Sequence, residues 1–107
     1  MKQKVYTIYD SKLEIYNSPF LALNKGHAIR LITKMVQRED HDFCVHAKDF
    51  TMFEIGEYDD SSGRFDLYSA HVPVTGLWEL KEEDTQLDLP LKGANSENRG
   101  KTATSYI

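Results

Sequence analysis

His41, Cys44 and His46 lie within six residues and are residue types that bind zinc or supply a thiol nucleophile. Structural zinc needs four ligands, usually from two separated pairs, and a second pair exists here only if His27 or His71 folds close. A thiol nucleophile needs a nearby base and an oxyanion site, whereas most lone cysteines are small buried hydrophobes. We therefore expect no metal, no cofactor and no catalytic residue here, and a protein that is not an enzyme.

Two further segments have the composition of ion-binding loops. The carboxylates of residues 54–66 could hold Mg²⁺, but the run Asp59-Asp60-Ser61-Ser62-Gly63 has hairpin-turn composition and lacks the calcium-loop pattern. Asn24-Lys25-Gly26 is too short for a phosphate-cradling loop, although a helix N-terminus beside a lysine can hold one phosphate. Both segments are predicted to be ordinary turns and caps.

Basic residues and tyrosines give the strongest indication of a ligand. Residues 1–38 hold seven Lys or Arg against two Asp or Glu, a net of +5, and residues 39–107 hold six against fifteen, a net of −9. Single-strand binders combine a cationic track with aromatic rings, each stacked base contributing roughly 1–3 kcal/mol. The candidate phosphate contacts are Lys2, Lys4, Lys12, Lys25, Arg30, Lys34 and Arg38, and the candidate stacking residues are Tyr6, Tyr9, Tyr16, Tyr58 and Tyr68.

Two plainer alternatives stay open for these residues. The oppositely charged halves of the chain can attract one another within the folded molecule, which would neutralise the basic segment. The tyrosines can be half-buried sheet residues, because tyrosine is common in strands.

The first half of the chain predicts a strand, a short extended piece and a helix. Lys4–Asp10 is rich in β-branched and aromatic residues, and 13–16 is a second short extended piece that Asn17-Ser18-Pro19 interrupts. Residues 20–23 are expected to be irregular core contacts. Asn24 is a helix N-cap residue, and a helix follows over Lys25–Gln37. Its predicted buried stripe is Ala28, Leu31, Ile32 and Met35, with Ile29 or Val36 at the margin.

On that helix, Arg30, Lys34 and Arg38 are spaced four apart and are predicted to form one exposed basic ridge.

The second half predicts a loop and a hairpin. Residues 39–49 are expected to form a loop with one short helical turn around 46–49. Residues 51–58 and 64–69 form a β-hairpin, with Gly63 supplying the positive φ of its turn. Alternation places Phe53, Ile55, Phe65 and Leu67 on one face, and Tyr58, Arg64 and Tyr68 on the other. Residues 71–80 add an edge strand, with Trp78 as an anchor.

Length and composition favour one small α+β domain. The expected fold is an antiparallel sheet of three to four strands with one helix packed on one face, over residues 1–80, followed by a flexible acidic and then polar tail, 81–107. The single cysteine allows no intramolecular disulfide, and no stretch approaches the roughly 20 apolar residues of a membrane span. We expect a cytosolic protein of a reducing compartment.

Three groups of residues within 4–70 carry a family resemblance: Tyr9-Asp10-Ser11-Lys12, Pro19-Phe20 with Asn24-Lys25-Gly26, Ala28 and Arg30, and residues 49–60 closing on Gly63. With these segments the chain resembles the small non-structural protein of gokushoviruses, the single-stranded-DNA bacteriophages of the Microviridae. The last of these groups, residues 49–60 closing on Gly63, is the most specific part of the resemblance.

That resemblance implies a DNA-binding role in producing or packaging progeny single-stranded DNA. We accordingly expect a non-enzymatic phage protein that binds single-stranded DNA, with steep salt dependence and little sequence preference. We expect it to form a homodimer through its sheet edges and to contact a phage replication or capsid protein. The alternative is a protein–protein adaptor or scaffold that engages a phage or host protein through the acidic hairpin and tail.

Overall fold

The computed structural model describes residues 1–81, so the predicted tail, 81–107, lies outside the described residues except for Lys81. Residues 77–81 are helical. The other elements are strands β1 (Lys2–Asp10), β2 (Ile15–Tyr16) and β3 (Phe20–Ala22), helices α1 (Lys25–Val36) and α2 (Asp42–Val45), a 3-10 turn (Ala47–Asp49), and strands β4 (Phe50–Asp59) and β5 (Arg64–Gly76). The architecture is the expected α+β arrangement.

The five strands form one antiparallel sheet around β1. Its order is β2-β1-β4-β5. Strand β3 pairs with the same edge of β1 as β2 does, but nearer the N-terminus of β1. Asn17-Ser18-Pro19 separates β2 from β3, because proline lacks the amide proton that a continuous strand must donate. The sheet has one more strand than expected, since Phe20–Ala22 pairs regularly with β1 instead of forming irregular core contacts.

Helix α1 covers one face of the sheet. The Asn24 side chain accepts the His27 amide at 2.9 Å, as the N-cap prediction requires. Ala28, Ile32 and Val36 are the buried residues, whereas Met35 is 38% exposed, so the predicted stripe was wrong at that position. The helix presents the row spaced four apart to the sheet, which turns Met35 toward solvent.

The core lies between α1 and the sheet, and residues 77–81 close one end of it. Tyr6, Ile8, Phe50 and Met52 supply the sheet side of this core. Leu77 and Leu80 are almost fully buried, whereas the predicted anchor Trp78 is 38% exposed. The Trp78 ring lies against Gly76, where a Cβ would overlap it, so the glycine is required by this close approach.

The segment between α1 and β4 is more ordered than predicted. It contains α2 and the 3-10 turn, and the His41 ring Nδ1 caps α2 by accepting the Phe43 amide at 3.0 Å. Cys44 is buried beneath it. No helix among residues 1–81 has the length and apolar character needed to span a bilayer.

The β4–β5 hairpin and its turn occur as predicted, with Gly63 at φ 73°. Strand β5 runs on to Gly76, so no separate edge strand forms after residue 70.

Strand β4 contains a bulge where it pairs with β1. The register shifts so that Val5 pairs with Gly56 and Tyr6 with Glu54, which leaves Ile55 as the bulge. A bulge changes which residues share a face. Tyr58 therefore lies opposite Phe65 on its face, with the rings 4.8 Å apart, and its predicted placement was wrong.

Candidate functional surfaces

Arg30 and Lys34 of α1 form an exposed pair of cations one helical turn apart. Both side chains are exposed, and no carboxylate of residues 1–81 lies within ion-pair distance of either. Arg38 lies just beyond the helix, where its Nε is 3.9 Å from Asp40, and both side chains are largely exposed. Pairs of this kind contribute little, so Arg38 is still available to a ligand. We call Arg30, Lys34 and Arg38 the basic ridge.

The other predicted phosphate contacts are scattered. Lys25 is exposed in the first turn of α1, but nine residues separate it from Lys34, which places the two on opposite sides of the helix. Lys12 is exposed in the turn between β1 and β2. These two cations do not extend the basic ridge.

Lys4 is held inside a polar network on the sheet. Its Nζ donates to Glu57 Oε2 at 2.6 Å and to Tyr68 Oη at 3.5 Å, and Glu54 Oε2 lies at 4.0 Å. Lys2 is 3.9 Å from Glu57 and is more exposed. These contacts match the alternative in which the basic segment is neutralised within the molecule, and they remove Lys4 from the candidate phosphate contacts.

The same network fixes two of the five tyrosines. Tyr6 is fully buried and donates its hydroxyl to Glu54 at 3.2 Å, and the Tyr68 hydroxyl donates to the other Glu54 oxygen at 2.6 Å. Burial, with the nearby Glu54 charge, raises the pKa of Tyr6 to about 12. Hydrogen bonding to Lys4 lowers the pKa of Glu57, and hydrogen bonding to Glu54 raises the pKa of Tyr68. Tyr6 cannot stack on a base, because it belongs to the core.

Tyr9 and Tyr16 lie together on the sheet face opposite α1. Their rings are 4.7 Å apart, and Tyr16 also contacts Phe53 at 6.4 Å and His71 at 5.4 Å between ring centroids. Phe53 and His71 were absent from the predicted site. Their proximity follows from the pairing of distant strands, although the aromatic content of β1 and β4 indicated that such a cluster could form.

The face opposite α1 carries no formally charged side chain on any of the five strands. Register and alternation place every Lys, Arg, Asp and Glu of these strands on the α1 side: Lys2 opposite Asp59, Lys4 opposite Glu57, Tyr6 opposite Glu54, Asp10 opposite Phe50, Arg64 opposite Asp59 and Asp66 opposite Glu57. We call this uncharged surface the open face. Its members include Val5, Tyr9, Tyr16, Leu21, Phe53, Tyr58, Phe65, Leu67 and His71.

The His/Cys cluster does not converge on a ligand site in the described part of the chain. His41 is used as a helix cap, Cys44 is buried, and no group of three His, Cys, Asp or Glu residues among 1–81 is arranged to hold a metal. In the acidic hairpin, Asp59 accepts from Ser61, which lowers the Asp59 pKa, and Asp60 accepts from the Met1 ammonium at 2.7 Å. These carboxylates stabilise the turn and the chain terminus.

Comparison with known proteins gives a family match. The sequence model of a family described as "Phage ORF5 protein" matches residues 3–77, which include all of α1 and the whole sheet except Lys2. No curated protein and no solved structure matches the chain.

Proposed function

Because the chain belongs to the phage ORF5 protein family, we propose that it is a non-enzymatic protein that binds single-stranded DNA during viral DNA replication or packaging. We further propose that its phage is a gokushovirus of the Microviridae and that it acts in the host cytoplasm. The segments that resemble the gokushovirus protein, within residues 4–70, support the finer assignment. Phages with single-stranded genomes must manage exposed single strands, which favours this role.

The observation that supports DNA binding is the basic ridge. Arg30 and Lys34 project from a regular helix, so their Cβ atoms are about 6 Å apart and both point into solvent. Neither is neutralised by a carboxylate of residues 1–81. Exposed cations of this kind bind phosphates and release condensed counterions, which gives affinity without sequence preference.

The proposed contact set is smaller than the one predicted from the sequence. Arg30, Lys34 and Arg38 form its centre, and Lys12 and Lys25 are peripheral. The aromatic residues of the open face lie on the other side of the sheet from α1. The basic ridge therefore binds backbone phosphate, and the aromatic residues of the open face are not beside it to stack on bases.

A charge-reversal series tests this proposal. Fluorescent single- and double-stranded oligonucleotides are titrated at two salt concentrations. The proteins compared are the native chain, the double variant Arg30→Glu/Lys34→Glu, and two single variants, Arg30→Glu and Arg64→Glu, which form a matched pair. Arg64 is also exposed but lies on β5, so both single variants change net charge equally. We expect Arg30→Glu to weaken binding at every sequence, with the slope of log K against log salt falling by roughly 0.7 per lost contact.

Three results would contradict the proposal: a salt-insensitive isotherm, no binding at low salt, or equal weakening by Arg64→Glu and Arg30→Glu. The last result would mean that DNA binding depends only on the net charge of the protein. Tighter binding to double strands would retain the basic ridge as a phosphate site but contradict the single-strand assignment.

The adaptor alternative receives less support from the described residues. In the acidic hairpin on which that alternative depends, Asp59 and Asp60 accept hydrogen bonds from within the molecule. The tail on which it also depends lies outside the described residues, apart from Lys81. It stays a prediction, as does contact with a phage replication or capsid protein.

A further inference from the structure

We propose that the open face packs against the open face of a second copy of this chain, forming a two-layer β-sandwich dimer. This differs from the edge-to-edge dimer expected from the sequence, and it does not depend on DNA binding.

Exposure of large apolar side chains is the first argument. Phe65 is 59% exposed, Leu67 61% and Tyr16 49%, and all three lie on the open face. Single exposed apolar residues are common, whereas several large exposed apolar side chains on one sheet face are typical of a contact surface. Helix α1 packs against the other face. On the open face Val5 and Thr7 are already buried, and His71 lies against Tyr16, so the part left to a partner is the exposed surface around Phe65, Leu67 and Tyr16.

Charge segregation is the second argument, and it indicates which partner fits. A nucleic acid needs cations on the surface that it contacts, and the strands place none on the open face. A two-fold dimer places the same patch against itself, so a charged group near the axis would meet its own copy. An uncharged face avoids that repulsion, which makes a second copy the matching partner.

Size is the third argument. Strands β1, β4 and β5 each contribute eight or nine paired residues, and β2 and β3 together contribute five. At about 3.3 Å per residue and about 4.8 Å between strands, the sheet face measures roughly 500 Å². Two such faces offer at most on the order of 1,000 Å², which is about the smallest area of a specific interface. The geometry is that of ordinary sandwiches, whose inner faces pack about 10 Å apart.

An edge-to-edge dimer through β5 is the competing geometry. In β5, residues 68–71 are unpaired with β4, since Leu67 pairs with Gly56 and Val72 with Glu54, and Pro73 follows. Such bulges and prolines make an edge a poor template for further strand pairing.

Two variants at opposite sides of the open face, with a matched control, test the proposal. Leu67→Glu lies on β5 and Tyr16→Glu on β2, while Leu13→Glu makes the same chemical change at a 67%-exposed leucine outside the face. Mass is measured by light scattering over a concentration series, with circular dichroism to confirm folding. We expect the native chain and Leu13→Glu to reach twice 12.3 kDa, and both face variants to be folded monomers.

Other outcomes overturn the sandwich. A monomeric native chain would show that something else, such as residues 82–107 of the same chain, occupies the face or that nothing does. Dimerisation lost in Leu67→Glu but kept in Tyr16→Glu would indicate pairing through the β5 edge, and a dimer that survives both would indicate another surface. Should Leu67→Glu fail to fold, Phe65→Glu replaces it on the same strand and face.

Discussion

At the scale of single residues, Lys4 shows that part of the basic segment, residues 1–38, is used in contacts within the molecule. Lys4 and Lys2 lie on the same face of β1, two residues apart, yet Lys4 donates to Glu57 at 2.6 Å while Lys2 approaches it only to 3.9 Å. A charge-assisted hydrogen bond in a partly buried network is stronger than an exposed ion pair. Lys4 is therefore a structural residue.

We predict that Lys4→Met destabilises the protein by about 1–2 kcal/mol, because Glu54 and Glu57 would be left together without their shared cation. Lys2→Met is the control, and its effect should stay within about 0.5 kcal/mol. Urea unfolding followed by circular dichroism measures both. Equal effects of the two substitutions would mean that the network contributes no more than a surface pair.

At the scale of elements, the N-cap of α1 links the sequence to the basic ridge. Asn24 accepts the His27 amide and so supports the first turn of the helix from which Arg30 and Lys34 project. The cap lies on the surface, so its contribution can be changed without altering the core.

We expect Asn24→Ala to lower the free energy of unfolding by about 1 kcal/mol, because one amide of the first turn loses its acceptor. Asn24→Ser keeps an oxygen acceptor and should cost only a few tenths of that. Urea unfolding midpoints distinguish them, and an Asn24→Ala protein as stable as the native chain would mean that solvent replaces the cap.

The bulge at Ile55 changes which residues of β4 share a face. It places Glu54 and Glu57, three residues apart, on the same face, where both reach Lys4. Strict alternation puts them on opposite faces, which is why the predicted side of Tyr58 was wrong.

At the scale of the whole molecule, the two proposals place α1 and the open face on opposite sides of the sheet. In a sandwich dimer, the two basic ridges would lie on the two outer surfaces, far from the interface. One dimer would then offer two separate phosphate-binding surfaces.

We predict that the dimer brings two oligonucleotides together. Donor- and acceptor-labelled single strands mixed with the native chain should show energy transfer, and Leu13→Glu should preserve it. Leu67→Glu should abolish the transfer while each monomer still binds one strand, since Arg30 and Lys34 are untouched. Transfer that persists in a monomeric Leu67→Glu protein would contradict the two-ridge arrangement.

The sequence by itself determined the features that depend on neighbouring residues. The start of α1 at Asn24, its solvent-facing Arg30 and Lys34, and the hairpin turn at Gly63 follow from capping, helical periodicity and turn chemistry. These features are local, so a pattern of a few residues is enough to predict them.

Only the tertiary structure decided which basic residues and tyrosines stay available to a ligand. The burial of Tyr6, the capture of Lys4 and the absence of charge on the open face all depend on the register between β1 and β4. That register joins residues about 50 positions apart and shifts at Ile55, which alternation along a single strand cannot reveal.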